Sequence, residues 1–222
     1  ELFVKQRLDA HMLIEEFMLL ANKYVAHFMA FKNKSIPVPF VYRIHDLPDP
    51  DKLQDFMVFA HELGVKLDLS TPKKISKSLN QLAELIKENE DLKILQPLAI
   101  RTMAKAEYNP NNIGHYGLAF EYYTHFTSPI RRYADLMVHR ILFDNLKKEK
   151  RYRLDTIEAQ CRYISSQERK AMEAERESIR YFQVFYLKDK IGEIYDGRIT
   201  GMNDRGFYVQ LIENQCEGMI NI

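Results

Sequence analysis

Apolar residues recur at helical spacing through most of the first 187 positions. Leu13, Phe17, Leu20, Tyr24, Phe28 and Phe31 form one stripe, and Ile14, Met18, Ala21 and Val25 form a second beside it. This spacing predicts a helix from about Asp9 to Phe31, with Asp9 as N-cap and much of the circumference buried. Pro37, Pro39, Pro48 and Pro50 bracket a loop or short extended segment. Asp49-Pro50 reads as N-cap and first helical position, and Gly64 as the stop of a helix over about 50 to 63. Thr71-Pro72 opens another helix over about 73 to 88, and a further pattern covers about 91 to 106 with Pro97 at its start or at a kink. The aromatic-rich run from His115 to Phe126 predicts a strand, and Thr127-Ser128-Pro129 then caps a helix to about Lys147. One long helix follows from about Asp155 to Tyr186, with Ile157, Cys161, Ile164, Ala171, Ile179, Phe182 and Tyr186 on one face.

The pattern changes near Lys190. Five of the eight glycines, Gly192, Gly197, Gly201, Gly206 and Gly218, lie beyond it, and no proline follows Pro129. Short apolar runs there predict two strands joined by a turn at Asn203-Asp204 and a third strand at about Gly218 to Ile222. The expected division is therefore 1–189 and 190–222.

Composition narrows the class. With 46% hydrophobic residues, eight Gly and eight Pro in 222 residues, the chain is neither disordered nor collagen-like. Apolar runs such as Phe17 to Ala21 are far shorter than the roughly 20 residues a bilayer span needs, so no membrane partner is expected. The net charge of +1 argues against a broad basic surface but leaves room for a local basic site. Cys161 and Cys216 are far apart and read as free thiols, which points to a reducing, cytoplasmic setting. The start at Glu1, without Met or a signal-like segment, reads as a piece of something longer.

The strongest local signal is Thr127-Ser128-Pro129-Ile130-Arg131-Arg132-Tyr133-Ala134-Asp135. It places Arg131 and Arg132 in the first turn of a helix, where the macrodipole disfavours cations. A bound phosphate would reverse that sign, whereas pairing of either arginine with Asp135 would make the cluster structural. His115, His125 and His139 lie close in sequence but lack metal-ligand spacing, so they are expected to orient neighbours or touch phosphate. On the first helix, His11, Glu15 and Asn22 share a stripe with Met18 and Ala26, while Glu16 lies with Lys23 and His27. Glu15 and Asn22 are either a buried hydrogen-bonded pair or a carboxylate that accepts from sugar hydroxyls, with Asn22 beside it. In the last segment, one of Phe207 and Tyr208 can point outward and stack a base, although a small barrel core would give the same pattern.

These residues also carry a family resemblance. Gly114-His115-Tyr116-Gly117-Leu118-Ala119, then Tyr123 through Asp135 and on to His139-Arg140, resembles the hallmark segment of the ribonuclease II / ribonuclease R family of 3′-to-5′ exoribonucleases, nearer its ribonuclease R branch. Asp9-Ala10-His11, Ile14 to Asn22 and Arg43-Ile44-His45-Asp46 are similar to two further family segments, so the likeness spans residues 7 to 187. The resemblance implies an α+β fold: the mostly helical C-terminal half of an RNB catalytic domain with a short aromatic strand, then the first strands of an OB-type S1 barrel. It implies processive, magnesium-dependent hydrolysis of RNA from a single-stranded 3′ end to nucleoside 5′-monophosphates. Arg131 matches the arginine at the scissile phosphate, Glu15 the glutamate at the 3′-terminal ribose, and Glu175 another position near substrate. Arg132, His115, His125 and Tyr208 are the further candidates for RNA contact. The family's metal-binding aspartates are not matched, since Asp49, Asp51 and Asp68 stand in other contexts. No metal ligands are therefore expected in this chain, and Mg²⁺ would be held by other parts of a longer protein. Arg205, where S1 domains often carry an aromatic, weakens base stacking by the last segment. A relative that holds RNA without cutting it is the competing expectation.

Overall fold

A computed structural model describes residues 8–32, 38–148 and 152–222. Pro37 and the first residue of the 7 to 187 resemblance lie outside them. In chain order the elements are α1 (Asp9–Lys32), β1 (Tyr42–Ile44), α2 (Pro50–Glu62), α3 (Pro72–Glu88), α4 (Leu95–Thr102), β2 (Glu107–Asn109), α5 (Tyr133–Lys147), α6 (Leu154–Leu187), and β3, β4 and β5 (Gly197–Asn203, Gly206–Leu211, Glu217–Asn221). Short 3-10 turns precede α4 and follow α6, and another covers Tyr116–Leu118. The chain forms two compact units, one from Phe3–Asp46 with Lys105–Met172 and one from Leu47–Ala104 with Glu173–Ile222.

In the first unit, β1 and β2 pair antiparallel, with Arg43 opposite Tyr108. Their small ribbon packs with α1, α5 and the start of α6 around Ala26, Met29, Phe40, Val41, Ile44, Val138, Ile141, Ile157 and Cys161. In the second unit, α2, α3 and α4 enclose Leu53, Phe56, Ala60, Leu82, Ile86 and Leu95. The capping expected there is present. Asp49 Oδ1 accepts from the amides of Asp51 and Lys52 at 3.1 and 3.3 Å, and Thr71 Oγ1 accepts from Lys74 N at 3.3 Å. Pro50 and Pro72 each occupy the first helical position. The second unit also holds the antiparallel sheet β3-β4-β5, which is open and not a closed barrel. Gly206 is required at its turn, because a Cβ there would collide with the Ile220 carbonyl on β5.

Several expectations are corrected. Asp9 is the first helical residue of α1 and not its N-cap; Leu8 precedes the helix, and its amide donates to His11 Nδ1 at 3.2 Å. The pattern over 91 to 106 resolves into a 3-10 turn and α4, which stops at Thr102 because Met103 is extended. Pro97 sits in the first turn of α4, where its missing amide is not needed. The following β2 was not anticipated. The aromatic run 115 to 126 is not a strand. It makes only isolated bridges, His115 with His45 and His115 with Phe120, and it tightens into a turn that ends at left-handed Ala119. Its aromatics pack against one another and do not build a ladder.

The apolar stripes of the long helices are also less buried than their periodicity predicts. On α1 only Asn22, Ala26 and Met29 are buried, and Phe17 is 59% exposed. On α6 burial is confined to Ile157, Cys161, Ile164 and Ser165, while Ile179 and Phe182 are exposed. No described element covers these stripes. No helix among the described residues is long and apolar enough to cross a membrane.

Candidate functional site

The hallmark segment lies in the first unit; up to Arg132 it is largely an irregular loop, and residues 133–140 form the first half of α5. Arg131 and Arg132 are not inside the first turn, as expected, but just before it. A tight turn at Pro129 brings the amides of both arginines to the Ser128 carbonyl at 3.3 and 3.1 Å, and Arg132 becomes the extended N-cap residue. No side chain caps α5. Its N-terminus therefore combines unsatisfied helix amides with two guanidinium groups, an arrangement that suits an anion.

The two arginines differ in environment. Arg132 Nη2 donates to Asp135 Oδ1 at 2.8 Å, and Arg132 Nε lies 2.8 Å from Oδ2, close enough for an ion pair although not aligned for a hydrogen bond. Asp135 is fully buried, and its Oδ1 also accepts from Ser128 N at 2.8 Å. The structural alternative weighed for this cluster thus holds for Arg132. Arg131 is exposed, and its side chain makes no hydrogen bond or ion pair among the described residues. The third guanidinium nearby, Arg43, pairs with Glu168 at 2.6 Å and lies over the Tyr108 ring at 4.6 Å.

Around these arginines sits a cluster of rings. His115 stacks on His45 with centroids 5.1 Å apart, and Tyr123 meets both His115 and His125 edge-on at 5.3 and 5.7 Å. Tyr108 Oη and His125 Nδ1 share a hydrogen bond of 2.8 Å. His115 Nδ1 accepts from Leu118 N at 3.2 Å, and His45 Nδ1 accepts from Gly117 N at 3.1 Å. Burial, then the charges of His45 and Arg43, push the His115 pKa down to about 4. Burial, then Arg132 and Arg43, push that of His125 down to about 3. Both rings are neutral near pH 7, so neither adds to the positive charge of the arginines. With Arg43 and Arg132 each paired to a carboxylate, Arg131 is the guanidinium left for an external anion.

The other candidates are placed as follows. Glu15 is on α1 of the same unit and is exposed. Asn22, seven residues further along α1, is buried and bonded to the loop and to Tyr123, at Phe126 N, Thr127 N and Tyr123 Oη. His139 Nε2 lies 2.8 Å from the Phe126 carbonyl. Tyr208 is on β4 of the other unit and is 37% exposed. In the sequence Arg43 is marked only by its family segment, and Tyr108 and Glu168 not at all, because their roles depend on strand pairing and on a partner more than 120 residues from Arg43.

The described residues do not suit a magnesium site. Among them, no group of three or more His, Cys, Asp and Glu is placed to hold a metal ion. Asp49 caps α2, and Asp68 accepts from Ser70 and pairs with Lys74 at 2.9 Å. Hard divalent cations require several converging oxygens, and these carboxylates do not converge.

Comparison with known proteins decides the family. Residues 1–148 match the RNB domain. The chain belongs to the RNB-domain family. It is 40% identical over 223 residues to ribonuclease R of Aquifex aeolicus, covering 98% of this chain and 30% of that protein. It superposes on Mycoplasma genitalium RNase R in complex with ribose-methylated single-stranded RNA with a TM-score of 0.85 at 30% identity, covering 98% of this chain and 34% of that one. Yeast Ssd1, described as a pseudonuclease, shares the fold with a TM-score of 0.75 at 22% identity over 97% of this chain and 27% of that one. The chain thus spans about a third of the length of these proteins. A shared fold does not by itself establish catalysis.

Proposed function

We propose that this chain is the C-terminal half of the catalytic domain of a 3′-to-5′ exoribonuclease, residues 1–189, followed by the first strands of an S1 domain, residues 190–222. The full-length protein would shorten single-stranded RNA processively from its 3′ end in a reducing cytoplasm, releasing nucleoside 5′-monophosphates. The observation that carries this reading is Arg131: exposed, unpaired among the described residues and set at an uncapped helix N-terminus inside the family's hallmark segment.

In this proposal Arg131 donates to non-bridging oxygens of the scissile phosphate. Charge that develops there meets a guanidinium already in place, so the contact strengthens in the transition state. Glu15 accepts a hydrogen bond from the 2′-hydroxyl of the terminal ribose, which DNA lacks. Arg132 secures the loop through Asp135, and neutral His115 and His125 hold neighbouring backbone and Tyr108 while adding no charge. His115 and His125 also contact RNA in this proposal, and Tyr208 stacks on a base. Magnesium is proposed as the cofactor of the full-length protein, with ligands from outside this chain.

The test uses full-length protein with 5′-labelled single-stranded RNA. The expected result is a one-nucleotide ladder from the 3′ end with 5′-monophosphate products, abolished by a chelator. The second reading, an RNA-binding relative without catalysis, predicts retarded but intact RNA.

A further inference from the structure

We infer that Asn22 is a positioning residue for the phosphate-binding loop. It lies in the middle of α1, is only 3% exposed, and reaches across to residues more than 100 positions later in the chain. Its Oδ1 accepts from two consecutive amides, Phe126 N at 2.9 Å and Thr127 N at 3.2 Å. Its Nδ2 donates to Tyr123 Oη at 3.2 Å. Two backbone donors on one side fix the orientation of the amide, since only the oxygen can face them.

The next amide along, Ser128 N, is held by Asp135. Three successive backbone donors are therefore bound by two buried side chains and not by a strand or helix. An irregular segment has no ladder to set its register, so these side chains set it. Asn22 holds the loop from the α1 side and Asp135 from the α5 side, and Arg131 follows within four residues. Through Tyr123, the same amide also steadies the ring that contacts His115 and His125. Because Glu15 is on α1 as well, Asn22 ties the helix that carries the proposed sugar contact to the loop that carries the proposed phosphate contact.

The catalytic part of this proposal rests on the reading of Arg131 given above, whereas the structural part does not. The test therefore reads both, in full-length protein, using Asn22→Leu, Asn22→Asp and Arg131→Ala. Asn22→Leu has similar size but cannot accept. Asn22→Asp keeps an oxygen for both amides and can accept from the Tyr123 hydroxyl. Hydrogen exchange at the Phe126 and Thr127 amides should accelerate by about 10-fold or more in Asn22→Leu and stay near wild type in Asn22→Asp.

Displacement of a catalytic group by about 1 Å can lower a rate by about 100-fold. The saturated single-turnover cleavage rate should accordingly fall by about 10-fold to 100-fold in Asn22→Leu, with RNA affinity within about 3-fold of wild type. Asn22→Asp should restore most of that rate. Combining Asn22→Leu with Arg131→Ala should add little to the loss from Arg131→Ala alone. Should Asn22→Leu fail to fold, Asn22→Ser, too short to span both amides, takes its place. Unchanged exchange at 126 and 127 overturns the proposal, and so does a cleavage rate that stays intact in Asn22→Leu while it collapses in Arg131→Ala. Faster exchange together with an intact rate in Arg131→Ala would leave the clamp standing and remove Arg131 from catalysis.

Discussion

Arg132 is held by Asp135, with Nη2 donating to Oδ1 at 2.8 Å and Nε 2.8 Å from Oδ2, while the adjacent Arg131 side chain has no such partner among the described residues. Adjacent arginines thus separate into one bound inward and one presented outward. In full-length protein, Arg131→Ala should lower turnover by about 100-fold to 1000-fold, the scale of removing one electrostatic donor from a transition state. RNA affinity should change little, because a long RNA is held by many phosphates. Arg132→Ala should act first on stability, by about 3–5 kcal/mol, since it strands the carboxylate of buried Asp135. Single-turnover rates, RNA binding at fixed salt and denaturant unfolding of both variants separate the effects. Weaker binding with an intact saturated rate in Arg131→Ala would make that residue an anchor and not a catalytic group.

Glu15 is exposed on α1, so its replacement should leave folding nearly unchanged. If it accepts from a 2′-hydroxyl, Glu15→Ala in full-length protein should narrow the preference for RNA over DNA, or lengthen the final product. Cleavage of matched oligonucleotides with a single 3′-terminal deoxynucleotide measures this directly. A change confined to the melting temperature would show that the carboxylate serves packing alone.

Lowered histidine pKa values make stability pH-dependent in a fixed direction. His115 and His125 titrate at about 4 and about 3 in the folded chain, against roughly 6.5 unfolded. Between those values the unfolded chain binds more protons, so stability is full above about pH 6.5 and is lost as pH falls toward the folded values. At pH 5 the more deeply buried His125 should cost on the order of 2 kcal/mol, and the better-solvated His115 less. Urea unfolding at pH 7 and pH 5 should show this drop, and His125→Gln should reduce it. A midpoint that does not fall between the two pH values rules the effect out.

Local signals made the helices legible, and distance in sequence hid most of the rest. Asp49-Pro50 and Thr71-Pro72 marked helix starts because capping and the fixed φ of proline act within one turn. The three strands after Lys190 were legible from glycine and from a turn placed one residue early, at Asn203-Asp204: Asn203 still pairs with Gly206, so the turn is Asp204-Arg205. The aromatic run 115 to 126 misled because strand propensity reflects packing on a half-buried surface, and here the rings pack without a ladder. Arg131 and Glu15 stand out locally, as a cation near a helix start and a carboxylate on an apolar stripe, but their separate roles come only from the family resemblance; Asn22 stands out as a polar residue on that stripe, and its partners do not. No periodicity could reveal Phe126 and Thr127, which are more than 100 residues away. The exposed stripes on α1 and α6 mark the limit of periodicity: it identifies an apolar face but not whether this chain contains its cover.

The proposed phosphoryl transfer would use divalent cations to stabilise attacking and leaving oxygens, and such cations need converging carboxylates. In this chain Asp49 is committed to capping α2, and Asp68 is committed to Ser70 and Lys74. Among the described residues no acidic cluster replaces them. The purified 222-residue chain should therefore release no mononucleotides from RNA at millimolar Mg²⁺. Activity alone would be a narrow test, because an inactive sample can be inactive for other reasons. Binding gives an independent readout: a ligand specific for the folded state at 100 times its Kd stabilises by about 2.7 kcal/mol, which raises the melting temperature by several degrees. Melting of the chain should instead be the same in Mg²⁺ and in an equal ionic strength of NaCl. Mononucleotide release, or a Mg²⁺-specific rise in melting temperature, would place a metal site within these residues.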